Sequence, residues 1–245
     1  MPKTSGPPYD LLIFDCDGVL IDSETIVCRV EVQALAEIGY SIELERFMER
    51  FIGKAARDGR ALIEAELGRK FPAGFEAETA RRVADAFARE LKAVAGVDEA
   101  LRAIPGRRCV ASSSLPERLA YTLGLTGLAQ WFDDAVFSAA MVARGKPAPD
   151  LFLHAAATMG ADPTRCLVIE DSAPGITAAK AAGMTAFGFT GASHCRPGHD
   201  ARLAAAGADV VFADMRELPA LIARVAKIPL PLAGKGGTRR DASGG

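Results

Sequence analysis

Six short stretches, residues 11–14, 109–111, 135–137, 166–169, 185–189 and 210–212, are apolar at consecutive positions rather than at alternate ones. A strand wetted on one face alternates apolar with polar side chains, so unbroken runs predict strands buried on both faces, as in a parallel sheet. Between the runs, residues 116–123, 149–159, 174–182, 201–206 and 215–225 carry apolar side chains at helical spacing. Gly124, Gly160, Gly183 and Gly207 follow four of these segments, where a helix C-cap favours a residue that tolerates positive φ. The cadence predicts an α/β fold built on a doubly wound parallel sheet.

One segment departs from the cadence. Residues 23–95 contain no convincing strand and are rich in Ala, Glu, Arg and Leu at helical spacing, which predicts an inserted α-helical subdomain. Ile26, Val30, Leu35 and Ile38 fall on one expected apolar face, and Val83, Ala86, Phe87 and Leu91 on another. The sheet is then assembled from residues 9–22 and 96–228. From 229 to 245 the chain turns to Pro, Gly, Lys, Arg and Ser, a composition that buries too little to fold, and a disordered tail is expected.

Composition narrows the chemistry. A chain of 245 residues can bury a core without covalent staples. Its five cysteines (Cys16, Cys28, Cys109, Cys166 and Cys195) are scattered and form no C-x-x-C pair. That argues against a disulfide framework and against a zinc site, and predicts reduced, mostly buried thiols in a cytoplasmic protein. The formal net charge of −2 gives no electrostatic case for nucleic acid or an anionic membrane. No apolar run reaches the roughly 18 residues of a membrane span, and residues 1–9 lack an apolar signal core. A small molecule is the expected partner, and a monomer the expected state.

The strongest local signal is Asp15-Cys16-Asp17-Gly18-Val19-Leu20-Ile21-Asp22-Ser23, directly after the first apolar run. Ligands of open α/β sheets bind beyond the carboxyl ends of the strands, so both carboxylates are expected in a crevice there. A calcium loop would want an oxygen ligand where Val19 stands and a glutamate where Ile26 stands. Three other polar groups occupy comparable places: Ser112-Ser113-Ser114, Lys146-Pro147 and Glu170-Asp171, after the second, third and fourth runs. Each alone has a plain structural explanation, as a helix cap, a solvated lysine or an acid at a helix N-terminus. On one sheet edge they assemble carboxylates, a hydroxyl and a cation, the set that phosphoryl transfer uses. His154, His194 and His199 show no metal-binding spacing with nearby carboxylates and are expected to be packed or at the surface. Residues 190–193 fit either a segment bordering the active site or, equally well, a turn after a strand.

In order and spacing, Asp15-x-Asp17-Gly18-Val19, Ser112, Lys146-Pro147 and Glu170-Asp171 resemble the four motifs of the haloacid dehalogenase-like hydrolase superfamily, across residues 9–226. The helical insert resembles the cap of the branch that contains phosphoglycolate-type phosphatases, sugar-phosphate phosphatases and β-phosphoglucomutase. Residues 14–24 are most like its sugar-phosphate and phosphogluconate phosphatases. The resemblance implies a Rossmann-like core, a helical cap, and a magnesium-dependent phosphatase acting on a sugar or sugar-acid phosphate. It makes Asp15 the nucleophile that becomes an aspartyl phosphate, and Asp17 the acid toward the departing alcohol and then the base toward water. Ser112 and Lys146 would meet the phosphoryl oxygens. Asp15, the main-chain carbonyl of Asp17, Glu170 and Asp171 would hold Mg2+, while Glu24, Arg57, Ser113 and Ser114 would face the substrate. The alternative is a β-phosphoglucomutase-like phosphomutase; Glu24 at the hinge, and Val27 where the mutases carry a histidine, favour the phosphatase. Dehalogenases generally lack the second aspartate, and a catalytically silent binding protein would be expected to have lost one of these groups.

Overall fold

The computed structural model describes residues 9–52 and 56–225. In chain order they form β1 (Leu11–Phe14), α1 (Glu24–Glu37), α2 (Leu44–Phe51), α3 (Ala56–Leu67), α4 (Phe75–Glu90), α5 (Val97–Ala103), β2 (Arg108–Ser112) and α6 (Pro116–Leu125). There follow β3 (Val136–Ser138), α7 (Asp150–Thr158), β4 (Cys166–Glu170), α8 (Ala173–Ala181), β5 (Thr185–Phe189), α9 (His199–Ala205), β6 (Val210–Phe212) and α10 (Leu218–Val225). The expected tail and the end of the expected core beyond Val225 lie outside the described residues.

The six strands form one parallel sheet in the order β3-β2-β1-β4-β5-β6. Successive strand side chains point to opposite faces. Leu12, Phe14 and Val110 pack with Leu101 of α5, Leu119 of α6 and Leu218 of α10. Leu11, Ile13 and Cys109 pack with Phe152 of α7, Ile176 of α8 and Leu203 of α9. Both faces are covered, which is why the strands read as unbroken apolar runs.

Sheet order sets the position of the chemistry. Strands β1 to β3 step one way and β4 to β6 the other, so the order reverses beside β1. Phe14 pairs with both Val110 and Ile169. The next residues, Asp15, Ala111 and Glu170, therefore emerge level with one another at the switch point, where open α/β sheets bind ligands.

Gly160, Gly183 and Gly207 have positive φ, as expected after a helix. Gly124 does not. It lies inside α6, which holds its buried face through Leu123 and continues to Leu125, and Gly127 takes the left-handed position instead. The insert also corrects an expectation. Ile26 and Val30 pack against Val83, Ala86 and Phe87 of α4, while Leu35, with Ile38 against it, joins Phe47 of α2 and Ile63 of α3. Nine positions separate Ile26 from Leu35, about half a turn out of phase at 3.6 residues per turn, so α1 serves two clusters on opposite sides.

The two crossings between sheet and insert run side by side: Asp22 N–H donates to the Lys92 carbonyl at 3.0 Å and Val94 N–H to the Leu20 carbonyl at 2.9 Å. Cys16, Cys28, Cys109 and Cys166 are buried and Cys195 is half-buried, all as free thiols. Among the described residues no helix is long and apolar enough to cross a membrane.

Candidate active site

Asp15 follows β1 and is buried, with Glu170 and Asp171 at the end of β4 beside it. One oxygen of each of these three carboxylates lies within 4.8 Å of the others. Lys146 reaches in from the loop after β3. Its Nζ donates to Asp15 Oδ1 at 2.5 Å, Glu170 Oε1 at 2.8 Å and the Ala111 carbonyl at 3.0 Å. Burial alone would lower the Lys146 pKa, but Asp15 and Glu170 hold it above the ordinary lysine value. Burial drives the Asp15 carboxyl well above its usual range; Lys146 opposes this, and Glu170 and Asp171 add to it.

Backbone shape is tied to the same carboxylates. Glu170 Oε2 accepts from Ser172 N–H at 2.7 Å and Ser172 Oγ at 2.8 Å. The Ser172 hydroxyl in turn accepts from Gly175 N–H at 3.1 Å and caps α8. A Cβ at Gly175 would fall 1.8 Å from Glu170 Oε1, so the first turn of α8 admits the carboxylate only because residue 175 has no side chain. A Cβ at Gly18, where φ is +80°, would fall 2.0 Å from Asp171 Oδ2.

Asp17 stands apart from that cluster in its bonding. Its Oδ1 accepts from Ser23 Oγ at 2.6 Å and Arg118 Nη2 at 2.8 Å, and its Oδ2 from Ser114 Oγ at 2.6 Å. Burial would raise its pKa, but Arg118 and the two hydroxyl donors outweigh burial and hold it below the ordinary carboxylate range. Ser112, buried at the end of β2, accepts the Ser114 N–H at 3.1 Å, so its own O–H proton is the donor it has to offer. Glu24 opens α1, and burial, with Asp17 and Asp171 nearby, lifts its carboxyl to about 7.

Of the residues singled out in the sequence, Asp15, Lys146, Glu170 and Asp171 meet directly, and Asp17 and Ser114 meet each other. Ser113 is exposed and takes no part in these contacts. Arg57 is not brought to the cluster: its side chain is 94% exposed, with Asp58 as its ionic neighbour at 3.6 Å. The face of α3 that packs inward carries Gly59 and Ile63, which leaves Arg57 on the solvent side.

Three contributors were missed by the sequence reading. Arg118, in the first turns of α6, binds Asp17 and lies 5.1 Å from the Phe87 ring of α4. Ser23, which closes the Asp15–Ser23 signal but has no expected role there, gives its hydroxyl to Asp17 rather than to the backbone of α1. His194, beyond β5, places Nε2 3.0 Å from Asp171 Oδ2. Burial would lower its pKa, but the hydrogen bond to Asp171 and the Cys195 sulfur hold it at about 11. The rule that located the other groups, polar residues beyond the carboxyl end of a buried strand, extends to His194.

A model of the haloacid dehalogenase-like hydrolases matches residues 9–183, more than half of the chain. The chain belongs to that family. It is 33% identical to the 6-phosphogluconate phosphatase of Escherichia coli over 190 residues, covering 77% of this chain and 86% of that one. It is also 33% identical to the fructose-1-phosphate phosphatase of the same organism over 183 residues, covering 73% and 95%. A haloacid dehalogenase-like protein of unknown function from Agrobacterium tumefaciens superposes with a TM-score of 0.82 at 42% identity, covering 89% of this chain and all of that one.

The donor set suits a hard divalent cation. Three buried carboxylates are opposed by Lys146 and the His194 imidazolium, which leaves negative charge over, and every ligand atom in the set is an oxygen.

Proposed function

We propose that this haloacid dehalogenase-like hydrolase is a phosphatase that removes phosphate from a small phosphorylated metabolite, a sugar or sugar-acid phosphate, through an aspartyl phosphate on Asp15. The observation that carries the reading is the buried cluster of Asp15, Glu170 and Asp171 around Lys146, with Asp17 beside it. Similarity to two phosphatases of phosphorylated sugars and sugar acids supports the substrate class.

Asp15, Glu170 and Asp171, with the Asp17 main-chain carbonyl, would hold Mg2+. When bound, the cation offsets the repulsion between an anionic nucleophile and an anionic phosphate. In the first step an Asp15 oxygen bonds to phosphorus, the ester P–O bond breaks, and the departing alcohol oxygen takes a proton from Asp17. Lys146 and the Ser112 hydroxyl stabilise charge on the equatorial oxygens. In the second step Asp17, now a base, takes a proton from water as it adds to phosphorus, and Asp15 leaves as carboxylate. The hydrogen bonds that keep Asp17 ionised favour this second step. For the first, Asp17 must be protonated, which calls for release from Arg118 as the substrate settles. The helical insert acts as a cap, with Glu24 at its hinge facing the substrate.

A screen of phosphorylated sugars and sugar acids with magnesium, read as free phosphate, tests the assignment. Release is expected to vanish in Asp15→Asn and on chelation. Formation of a phosphate isomer without free phosphate would favour a mutase, and undiminished turnover in Asp15→Asn would remove Asp15 from the chemistry.

A further inference from the structure

The loop between β5 and α9 carries a second set of donors. One ligand atom from each of His194, Cys195 and His199 lies within 4.8 Å of the others. His194 Nε2 and Cys195 Sγ are 3.6 Å apart. A tetrahedral zinc ion, with Zn–N about 2.05 Å and Zn–S about 2.3 Å, sets its nitrogen and sulfur roughly 3.6 Å apart. That pair therefore already spans one edge of such a site. The same His194 Nε2 is 3.0 Å from Asp171 Oδ2, so a carboxylate oxygen lies beside the three-residue set at its His194 corner.

The surroundings suit a bound metal. His194 is 4% exposed, and its Nε2 is the ring nitrogen that faces both Cys195 Sγ and Asp171 Oδ2, while Nδ1 has no hydrogen-bond partner among the described residues. His199 is also buried, with Nε2 2.6 Å from the Asp171 carbonyl oxygen and Nδ1 3.0 Å from Nη2 of the exposed Arg202. Cys195 is the one half-buried thiol of the chain. Burial raises its pKa, but hydrogen bonds with His194 and His199 bring it below the ordinary thiol value, toward the thiolate that binds metals.

We propose that His194, Cys195 and His199, with Asp171 as fourth ligand, bind a divalent transition metal of the zinc class, and that its occupancy withdraws Asp171 from the magnesium cluster. Bonds form from the metal to one sulfur, two imidazole nitrogens and one oxygen. The Cys195 thiol and the His194 imidazolium each release a proton, with no change in oxidation state. His199 gives up its contact with the Asp171 carbonyl, and Arg202 turns to solvent. The binding half of the proposal stands on this geometry alone; the competition half rests on the magnesium role of Asp171 proposed above.

Cobalt(II), a spectroscopic substitute for zinc, tests the site when titrated into the full chain in excess magnesium. One equivalent is expected to produce a thiolate-to-cobalt absorption band in the near ultraviolet that zinc then bleaches. Cys195→Ser should abolish the band and weaken zinc binding at least about tenfold, whereas Cys28→Ser should leave both unchanged. Absence of the band, or equal bands in wild type and Cys195→Ser, overturns the site. The competition is read separately, as the ratio of phosphate release with and without zinc for each protein. Inhibition of wild type that Cys195→Ser escapes supports it, and equal inhibition of both overturns it. If no phosphate ester is turned over, the cobalt band still decides the site, so the two readings fail independently.

Discussion

Asp17 carries three donors on two oxygens, and the strongest of its partners is a guanidinium. A charged donor holds a carboxylate more firmly than a hydroxyl does, so Arg118 sets the protonation of Asp17 more than Ser23 or Ser114. In Arg118→Met the Asp17 pKa should rise toward the ordinary carboxylate value. The first step needs the acid form, so the pH at which turnover of an alkyl phosphate falls off should move upward. An aryl phosphate, whose leaving group needs little protonation, should be unaffected; an unmoved alkyl profile would detach Arg118 from Asp17. Asp17→Asn, by the same reasoning, should cost an alkyl ester on the order of 10²–10⁴ in kcat. Space is as restrictive as charge here. Gly175→Ala drives a methyl to 1.8 Å from Glu170 Oε1 and must push the carboxylate off Ser172 and Lys146. A loss of about 1–3 kcal/mol in denaturant unfolding, together with a fall in activity, is expected.

At the level of elements, the insert and the sheet differ in what supports them. Glu64 on α3 accepts from Arg60 Nε at 3.0 Å, Lys70 Nζ at 2.8 Å and Phe71 N–H at 3.0 Å. Glu66 pairs with Arg50 and accepts from Tyr40 Oη, and Glu78 on α4 pairs with Arg81 and Arg82. These hydrogen bonds hold all three carboxyls at about 2, against 4.5 when unpaired. Between those values the unfolded chain binds more protons than the folded one, so their support is complete above about 4.5 and is lost as pH falls toward 2. The melting temperature should therefore drop through that window, less steeply in Glu64→Gln and less steeply in high salt. An identical pH slope in the variant would remove Glu64 from the effect. The same contrast explains what could be read from the sequence. Strands buried on both faces leave an unmistakable apolar run, and all six were legible within about a residue at each end. Helix α5 was not, because its Val97–Ala103 segment is short and only Val97 and Leu101 in it are large and apolar. The division of α1 between two clusters was hidden because periodicity gives the angle of a side chain, not the partner it meets. His194 escaped because its partner, Asp171, is 23 residues away in sequence and joins it only through the sheet order.

Across the whole molecule, the reversal of strand order brings acids from β1 and β4 into one buried place, and the sheet cannot disperse them. Asp15, Glu170 and Asp171 each keep under a tenth of their surface exposed, and the cations beside them, Lys146 and His194, leave the cluster negative. Folding without a divalent ion therefore works against the burial of Asp15 and, secondarily, its repulsion by Glu170 and Asp171, which together raise its pKa. Magnesium that binds this cluster, and not the unfolded chain, should stabilise the fold by mass action, about 2.7 kcal/mol at a hundredfold excess over Kd. For a chain of this size that corresponds to a rise in melting temperature of roughly 5–10 °C. The rise should saturate with magnesium concentration, reverse with chelator and shrink sharply in Asp171→Asn, which keeps the shape of the side chain but loses its charge. The same titration in Glu64→Gln should leave the rise intact, because that carboxylate is in the insert and belongs to no cation site proposed here. A melting temperature indifferent to magnesium, or an equal rise in Asp171→Asn, would mean that the buried acids are balanced by shared protons rather than by a metal, and the proposed role of Asp171 would fall with it.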